Sequence, residues 1–306
     1  MLRPELLRRI SKLQLTPRSI GGLIAGTKKT TQPAAFQSTR TESPQSQAGT
    51  SLLQRGSESV NPLGRCWIIR QPLSEIWQKG SRWIDKIDGQ LEQLHPDSKQ
   101  RELLALRSVF PNESCLLDLE TCGFAGSMVF LAGVISNHEG HLSLTQIFAR
   151  DYSEEAALLY ELWTITKLSS ALITFNGKSF DWPVVMDRTI LHRLQGCHWN
   201  SDAAVNQSDW LARLRPPIHV DLLHISRRLW KHQLPNCRLQ TLEKVICHRH
   251  RTGDIPGREI PSAYRDFVQR SNEFAINDVL HHNALDLITL LQILLVAIKK
   301  SATAVP

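Results

Sequence analysis

Apolar residues in the middle of the chain are grouped in short runs that predict β-strands. Three runs follow one another closely and a fourth comes after a gap: Ser114–Glu120, Met128–Ser136, Leu142–Ala149 and Ala171–Phe175. The short link between the second and third runs contains Gly140, which predicts a β-hairpin. Cys66–Arg70 is a further candidate strand nearer the start of the chain.

Helical spacing of apolar residues appears between and after these strands. Glu154–Leu168 has this spacing, with Ser153 as its expected N-cap, and Trp182–Leu191 has it again. From Val220 onward the chain is predicted to be helical, except for a turn-rich loop at Thr252–Pro261. An antiparallel meander followed by strand–helix alternation predicts an α/β fold, in which a mixed sheet is flanked by helices.

The first part of the chain lacks this pattern. Residues 16–61 are rich in Ser, Thr, Gln, Gly and Pro, and such a segment buries too little apolar surface to offset the entropy of ordering it. We therefore expect a disordered basic tail (1–64), an N-terminal extension that packs on the domain (65–110) and the main domain (111–300). Residues 2–13 alternate Leu or Ile with Arg or Lys, as in a basic amphipathic helix or, alternatively, a mitochondrial transit peptide.

The formal net charge of +7 is concentrated in the predicted tail. Residues 1–64 carry nine basic and three acidic residues, so the remainder is close to neutral and its charge alone does not indicate nucleic-acid binding. The six cysteines form no CxxC pair, which favours a reducing cytoplasm over a disulfide framework. No apolar run reaches the length of a membrane span, so no membrane association is expected.

Two acidic residues stand at the end of the first apolar run of the main domain. Asp118 and Glu120 are two apart and point to the same face of the predicted strand, whereas Leu117 and Leu119 point to the other. Adjacent carboxylates in an apolar setting repel each other and are costly to desolvate. A bound divalent cation would compensate for both effects.

Two further segments carry candidate chemistry. Asn176–Pro183 follows a predicted strand and includes Asp181, which the residues alone explain equally well as the N-cap of the next helix. His282 and Asp286 are four apart and would share one face of the last helix, either as functional groups or as a solvated stripe.

Taken together, Asp-x-Glu, Asn-Gly-x-x-Phe-Asp and His-x-x-x-Asp resemble the DEDD exonucleases of the ribonuclease-H-like superfamily. The chain is still more similar to the ribonuclease-H-like exonuclease family often called the YprB family. That resemblance runs roughly from Arg65 to Ile298 and rests on 117–121, 176–183, 219–224, 239–243, 253–261 and 282–286. The sequence departs from the family in its long tail and in a polar insertion near 196–217, where disorder is expected.

The resemblance implies a ribonuclease-H-like fold and a metal-dependent 3′–5′ exonuclease that acts on 3′ ends of single-stranded DNA or RNA. Asp118, Glu120, Asp181 and Asp286 would hold two Mg²⁺ or Mn²⁺ ions, which activate the water that attacks the terminal phosphodiester. Phe124 would stack on the terminal nucleotide, and Asn176 and Lys178 would contact its sugar or phosphate. No small-molecule organic cofactor is expected.

Two questions stay open at this point. The general base is His281 if the last helix begins near Asn283, and His282 if the helix is already continuous at Val279, because only then does His282 lie close to the face of Asp286. The alternative functions are a non-catalytic nucleic-acid-binding protein, an endonuclease on the same fold and a phosphodiesterase that acts on small nucleotides.

Overall fold

The computed structural model describes residues 51–77, 80, 84, 87–96, 100–123, 127–194, 196–199 and 210–303. Contacts divide the chain into two units, 1–47 and 48–306, and all the described residues belong to the second. Most of the predicted tail therefore lies outside the described residues.

One mixed sheet forms the centre of the described region. In chain order its seven described strands are β1 (Ser57–Asn61), β2 (Gly64–Pro72), β3 (Ser114–Thr121), β4 (Val129–His138), β5 (His141–Phe148), β6 (Ala171–Thr174) and β7 (Ile218–Asp221). They lie side by side in the order β1-β2-β5-β4-β3-β6-β7. In this spatial order, the pairs β1–β2, β2–β5, β5–β4 and β4–β3 are antiparallel, and the pairs β3–β6 and β6–β7 are parallel. The predicted mixed sheet is confirmed.

Helices cover both faces of this sheet. In chain order the described helices are α1 (Leu73–Ile76), α2 (Ile87–Glu92), α3 (Arg101–Ala105), α4 (Glu155–Thr166), α5 (Asp181–Leu191), α6 (Trp210–Arg213), α7 (Leu222–Trp230), α8 (Leu239–Val245), α9 (Ile260–Arg270) and α10 (Glu273–Thr303). Short 3-10 turns occupy Leu53–Arg55, Tyr152–Glu154 and Gly257–Glu259.

The alternation of side chains along each strand produces two apolar layers. On β3, Leu117 packs in the layer that includes α4, α5 and α9, whereas Leu116 packs in the layer that includes α2, α7 and most of α10. Helix α10 is long and apolar enough to span a membrane by length and composition, but most of its apolar window is buried against the rest of the protein. Core packing therefore accounts for its composition.

The predicted hairpin is confirmed in detail. His138 pairs with His141 across a two-residue turn, and the turn residues Glu139 and Gly140 both have positive φ values, 52° and 84°. Two positive φ values in succession match the twist of antiparallel strands, and Gly140 adopts its value without a Cβ penalty.

Two strands were not predicted. Strand β1 lies within the predicted tail, yet it pairs with β2 along its whole length, so the sheet begins before the expected boundary at residue 64. Its polar side chains are held by α4, with Asn61 donating to the carbonyl of Ala157 and Ser59 donating to Glu161. Strand β7 is only four residues long, and it includes Val220, where the sequence pattern predicts that a helical region begins.

The described ends of the predicted polar insertion pack into the core. Cys197, Trp199 and Leu214 are buried, and Trp182 of α5 donates a hydrogen bond from Nε1 to the carbonyl of Leu214. Residues 200–209 of the insertion lie outside the described residues.

The N-cap expected at Ser153 is instead Asp151. Its carboxylate accepts hydrogen bonds from the backbone N–H and the hydroxyl of Ser153, at the start of the helical segment that leads into α4.

Candidate active site

Strand β3 presents Asp118 and Glu120 toward α10. Both carboxylates are half-buried, and the intervening Leu119 packs in the opposite layer. The pairing of β3 with β4 shifts register between Glu120 and Thr121, so the regular ladder ends just after the second carboxylate. The predicted placement of these two side chains on one face is what the strand produces.

Asp181 reaches the site through the turn between β6 and α5. Within this turn Asn176 has a φ of 63°, in the left-handed region, and Gly177 lies so close to Thr174 that a Cβ would be 2.5 Å from its side chain. Asp181 is the first residue of α5, and Phe180 occupies the N-cap position without a capping hydrogen bond. Asp181 is therefore not used as the helix cap.

Buried Asp221 fixes the turn that carries Asp181. Its carboxylate accepts hydrogen bonds from the backbone N–H groups of Asn176 at 2.8 Å and Lys178 at 3.1 Å. The same carboxylate caps α7 by accepting from the N–H of Leu223 at 3.0 Å. Asp221 thus positions the turn and does not line the cleft.

Helix α10 supplies the third group of side chains and lies very close to the sheet. Asn283 donates from Nδ2 to Oδ2 of Asp118 at 2.8 Å, and its Oδ1 accepts from Gln146 at 3.0 Å. The helix can approach because Gly133, the partner of Asp118 on β4, has no side chain. A Cβ at Gly133 would lie 2.1 Å from Oδ1 of Asn283.

The two candidate histidines have different environments on α10. The helix is continuous from Glu273, so it already includes Val279, and it buries His282 while leaving His281 exposed. Nδ1 of His282 donates to Asp254 at 2.9 Å, and its Nε2 lies 3.5 Å from Oδ2 of Asp286. His282 is therefore the histidine that faces the acidic site.

Arg251 is a site residue that the sequence analysis missed. Its guanidinium, with the side chain only 9% exposed, donates to Asp286, to Asp254 and to the buried Glu243. Although burial opposes the charged form, the charge of Asp286 and these hydrogen bonds raise the pKa of Arg251. The loop containing Arg251 and Asp254 thus forms one edge of the site.

The acidic residues raise one another's pKa values. Burial is the largest cause of the high pKa of Asp118, followed by the charges of Asp286, Glu120 and Asp181. Burial and then the charges of Asp286, Asp181 and Asp254 raise the pKa of Glu120 well above its usual value. Burial, opposed by backbone hydrogen bonds, raises the pKa of Asp181 to about 7. Among the described residues, Asp118, Glu120 and Asp181 thus form a group of acidic side chains without a basic partner, whereas Asp286 is paired with Arg251.

A cleft of about 590 Å³ opens onto this cluster. Asp118, Asp181 and Asp286 line it together with Asn176, so β3, the β6–α5 turn and α10 all contribute. Lys178 is exposed and absent from this lining. Burial, and after it the charge of Lys178, lowers the pKa of His219. Phe124 lies outside the described residues.

The side chains suit a hard divalent cation by chemistry but are not arranged as a finished metal site. Carboxylate oxygens are the preferred ligands of Mg²⁺ and Mn²⁺, and the pKa values of Asp118 and Glu120 are raised because burial and neighbouring acidic charges make their ionised forms costly. Among the described residues, however, no three His, Cys, Asp or Glu side chains are close enough to hold a metal ion as they stand. Arg251 and His282 contact Asp286 instead.

The fold and the acidic cluster together define a class of protein. A comparison of the sequence with known protein families identifies that class. A model of the RNase H superfamily (RNase_H_2) matches residues 115–297, and the chain therefore belongs to that superfamily. This assignment confirms the ribonuclease-H-like fold that the sequence motifs implied.

The chain is also similar to individual proteins. The chain is 32% identical over 200 residues to "uncharacterized protein YprB" of Bacillus subtilis (strain 168), a match that covers 64% of this chain and 45% of YprB. The chain thus spans less than half the length of that relative. Among solved structures it is similar to the family B DNA polymerase of Pyrobaculum calidifontis, with 12% identity, a TM-score of 0.43 and coverage of 64% of this chain and 27% of the polymerase.

Proposed function

We propose that this protein is a divalent-metal-dependent 3′–5′ exonuclease that hydrolyses phosphodiester bonds at the ends of single-stranded nucleic acid. The observation that carries the proposal is the convergence of Asp118, Asp181 and Asp286 on one cleft, from three separate elements. Glu120 is coupled to the same cluster by its charge. Four carboxylates on a ribonuclease-H-like fold are costly to the fold unless cations compensate for them.

The four carboxylates would hold two Mg²⁺ or Mn²⁺ ions. Such ions would neutralise the cluster, polarise the phosphodiester and lower the pKa of an attacking water. Asp118 is held for this role by Asn283, and Asp181 is held by the turn that Asp221 anchors. Asp286 would exchange its contact with Arg251 for contact with a cation.

His282 would act as the general base. A carboxylate can only accept, so the hydrogen bond to Asp254 places a proton on Nδ1 and leaves Nε2 to take a proton from the water. Nε2 also points toward Asp286. Asp254 would therefore orient the histidine, as the third group does in other base–carboxylate pairs.

The direction of digestion separates an exonuclease from an endonuclease. The protein is incubated with single-stranded DNA and RNA labelled at the 5′ end, with Mg²⁺, Mn²⁺ or chelator. We expect a ladder of labelled products that shortens one nucleotide at a time and disappears with chelator. Labelled fragments of intermediate length that appear at early times without the one-nucleotide ladder would instead identify an endonuclease. A labelled mononucleotide as the first product would reverse the polarity.

One observation favours a second candidate, a nucleic-acid-binding protein without catalysis. Arg251 already gives Asp286 a positive partner, so part of the acidic charge is compensated by the chain itself. In that case oligonucleotides would bind equally well with Mg²⁺ or chelator and would remain intact. Metal-dependent hydrolysis excludes this candidate.

A further inference from the structure

The cleft that contains the carboxylates has a second, differently charged part. Besides the acidic residues, its lining includes five residues from α7 and from the segment that leads into α8: Leu223, Arg227, Asn236, Cys237 and Arg238. Two guanidinium groups and three carboxylates therefore share one cleft. The sequence analysis assigned no role to either arginine.

The position of Arg227 follows from the periodicity of α7. Leu223 is buried at the start of the helix and lines the cleft. Arg227 is four residues further on and therefore shares its face of the helix. Arg227 is exposed and lines the cleft.

Arg238 is held by its backbone and is free at its side chain. Asn236 accepts hydrogen bonds from the N–H of Arg238 at 3.0 Å and from the hydroxyl of Thr241 at 2.7 Å, which fixes the turn before α8. The Arg238 side chain is exposed and lines the cleft. Its guanidinium is thus presented on a rigid turn.

Neighbouring arginines are used within the fold, but these two are not. Arg228, next to Arg227, donates to Glu102 and Gln100, and Arg251 is bound by three carboxylates. Within the part of the chain that the structure describes, the guanidinium groups of Arg227 and Arg238 have no hydrogen-bonded or ionic partner. A cleft that is otherwise acidic thus keeps two unpaired cations.

We propose that Arg227 and Arg238 bind phosphates of the substrate strand next to the phosphate that is cleaved. This inference rests on the proposed function. The carboxylates repel a polyanion, and the chain outside residues 1–64 is close to neutral, so affinity for the strand needs local positive charge. The strand would leave the acidic cluster along α7 toward the start of α8, with the two guanidinium groups as its phosphate contacts.

Binding of a defined oligonucleotide tests the two arginines. The probe is a fluorescein-labelled single-stranded DNA with phosphorothioate linkages, which slow hydrolysis, titrated by fluorescence anisotropy in Mg²⁺ at several KCl concentrations. We expect Arg227→Gln and Arg238→Gln each to raise Kd about tenfold and to reduce the slope of log Kd against log salt by about 0.7–1. Arg228→Gln removes the same charge from the same helix outside the cleft and should leave Kd and slope unchanged.

Kinetics with a cleavable oligonucleotide give a second readout. A phosphate contact away from the reacting bond stabilises substrate and transition state equally, so both variants should raise KM and leave kcat within about twofold. A thermal unfolding measurement shows that each variant is folded. If kcat falls and KM stays constant, the arginines act on the reaction itself and the proposal is wrong.

The rate at which Cys237 is alkylated measures occupancy of the same part of the cleft, and this measurement does not depend on hydrolysis. Of the six cysteines, all of them described, four are buried, and of the half-buried pair only Cys237 lines this cleft. We expect the phosphorothioate oligonucleotide to slow alkylation of Cys237 by N-ethylmaleimide in the wild type and not in the Arg227→Gln/Arg238→Gln double variant. Alkylation is followed on the peptide that contains Cys237, so that the other half-buried cysteine, Cys122, does not contribute to the signal.

The outcomes separate this inference from the proposed function. If the wild type neither binds nor hydrolyses oligonucleotides, both fail together. If the wild type hydrolyses them while both arginine variants keep its Kd and salt slope, or while Cys237 stays fully reactive under saturating oligonucleotide, only the phosphate contacts are overturned.

Discussion

At the scale of single residues, the adjacent histidines on α10 allow a matched pair of substitutions. His282 is buried and contacts Asp254 and Asp286, whereas His281 is exposed. We expect His282→Ala to lower kcat by about 10²–10⁴-fold, the usual contribution of a general base, and His281→Ala to change it little. Equal kcat values and pH–rate profiles for both variants and the wild type would rule out a histidine base.

Asp181 allows a test of the acidic cluster through stability. Its carboxyl titrates at about 7 in the folded protein and at about 3.8 without perturbation, so between these values the folded state binds more protons than the unfolded state. The Asp181 carboxyl therefore stabilises the folded state fully at pH values below the pKa that it has in the unfolded state. This stabilisation is lost as the pH rises through the pKa that it has in the folded state. An asparagine at this position stays neutral, so the variant does not lose this stability as the pH rises.

In a buffer with chelator, Asp181→Asn should therefore unfold at a higher temperature than the wild type at about pH 8, with a smaller difference at about pH 5. Groups whose pKa Asp181 does not affect cancel in the comparison, such as His219, whose pKa burial lowers to about 4. The charge of Asp181 contributes to the raised pKa values of Asp118 and Glu120, so its removal acts on those groups in the same direction. Asp187→Asn, an exposed change on the same helix, should show no pH-dependent difference. A wild type as stable as Asp181→Asn at the higher pH would contradict the uncompensated charge.

At the scale of elements, the site depends on how closely α10 approaches β4. Gly133→Ala places a Cβ against the Asn283 side chain and Leu287, which a packed helix cannot avoid. We expect a loss of about 1–3 kcal/mol in the free energy of unfolding, as for other overpacked cores, and a loss of activity as Asn283 leaves Asp118.

Gly89→Ala is the matched control for that substitution. Gly89 lies in α2, and a Cβ there meets nothing within 4 Å. Alanine favours the helix over glycine by about 0.5–1 kcal/mol, so this variant should be at least as stable as the wild type. Gly133→Ala with wild-type stability and activity would show that the close approach is not required.

Sequence patterns predicted the long elements and the acidic residues for clear physical reasons. The apolar runs of β3, β4 and β5 are buried on both faces, and Asp118 and Glu120 stand out within them because carboxylates are rarely found there. Strand β1 has polar, largely exposed side chains and is held at the sheet edge by backbone pairing, which leaves no hydrophobic signal. Strand β7 is too short for one.

Charged residues that act across the fold were harder to predict than the carboxylates. Arg251 reaches Asp286 over 35 residues of chain, and nothing in the local sequence indicates that distant partner. Arg227 and Arg238 are ordinary surface arginines until α7 and α8 are placed beside the cleft. The motif around residues 253–261 gave the nearest signal, since the resemblance to the family includes this loop.

At the scale of the whole molecule, residues 1–50 carry eight basic and two acidic side chains outside the described fold. We expect their removal to leave kcat on short oligonucleotides unchanged. It should weaken binding to longer strands at low salt, because fewer positive charges remain to meet phosphates. Loss of turnover on a short substrate at saturation, with the truncated protein folded, would place this segment in the active site.

A longer truncation is the control for that prediction. Removing residues 1–61 would also delete β1 and its hydrogen bonds to β2 and α4. This variant should unfold at a lower temperature than the one that lacks only 1–50. Identical unfolding temperatures would show that β1 contributes nothing to the sheet.

The most direct measurement of the central claim is hydrolysis of a labelled single-stranded oligonucleotide by wild type, Asp118→Asn and Asp187→Asn at saturating Mg²⁺. The amide oxygen introduced by Asp118→Asn can still accept the hydrogen bond from Asn283, so the variant should fold while losing one carboxylate of the cluster. Loss of an outer partner of a metal site costs about 10–100-fold, and loss of a ligand should cost at least about a hundredfold. We expect that loss for Asp118→Asn and the wild-type rate for Asp187→Asn. Near-normal turnover by Asp118→Asn would contradict the assignment of this acidic cluster as the hydrolytic centre.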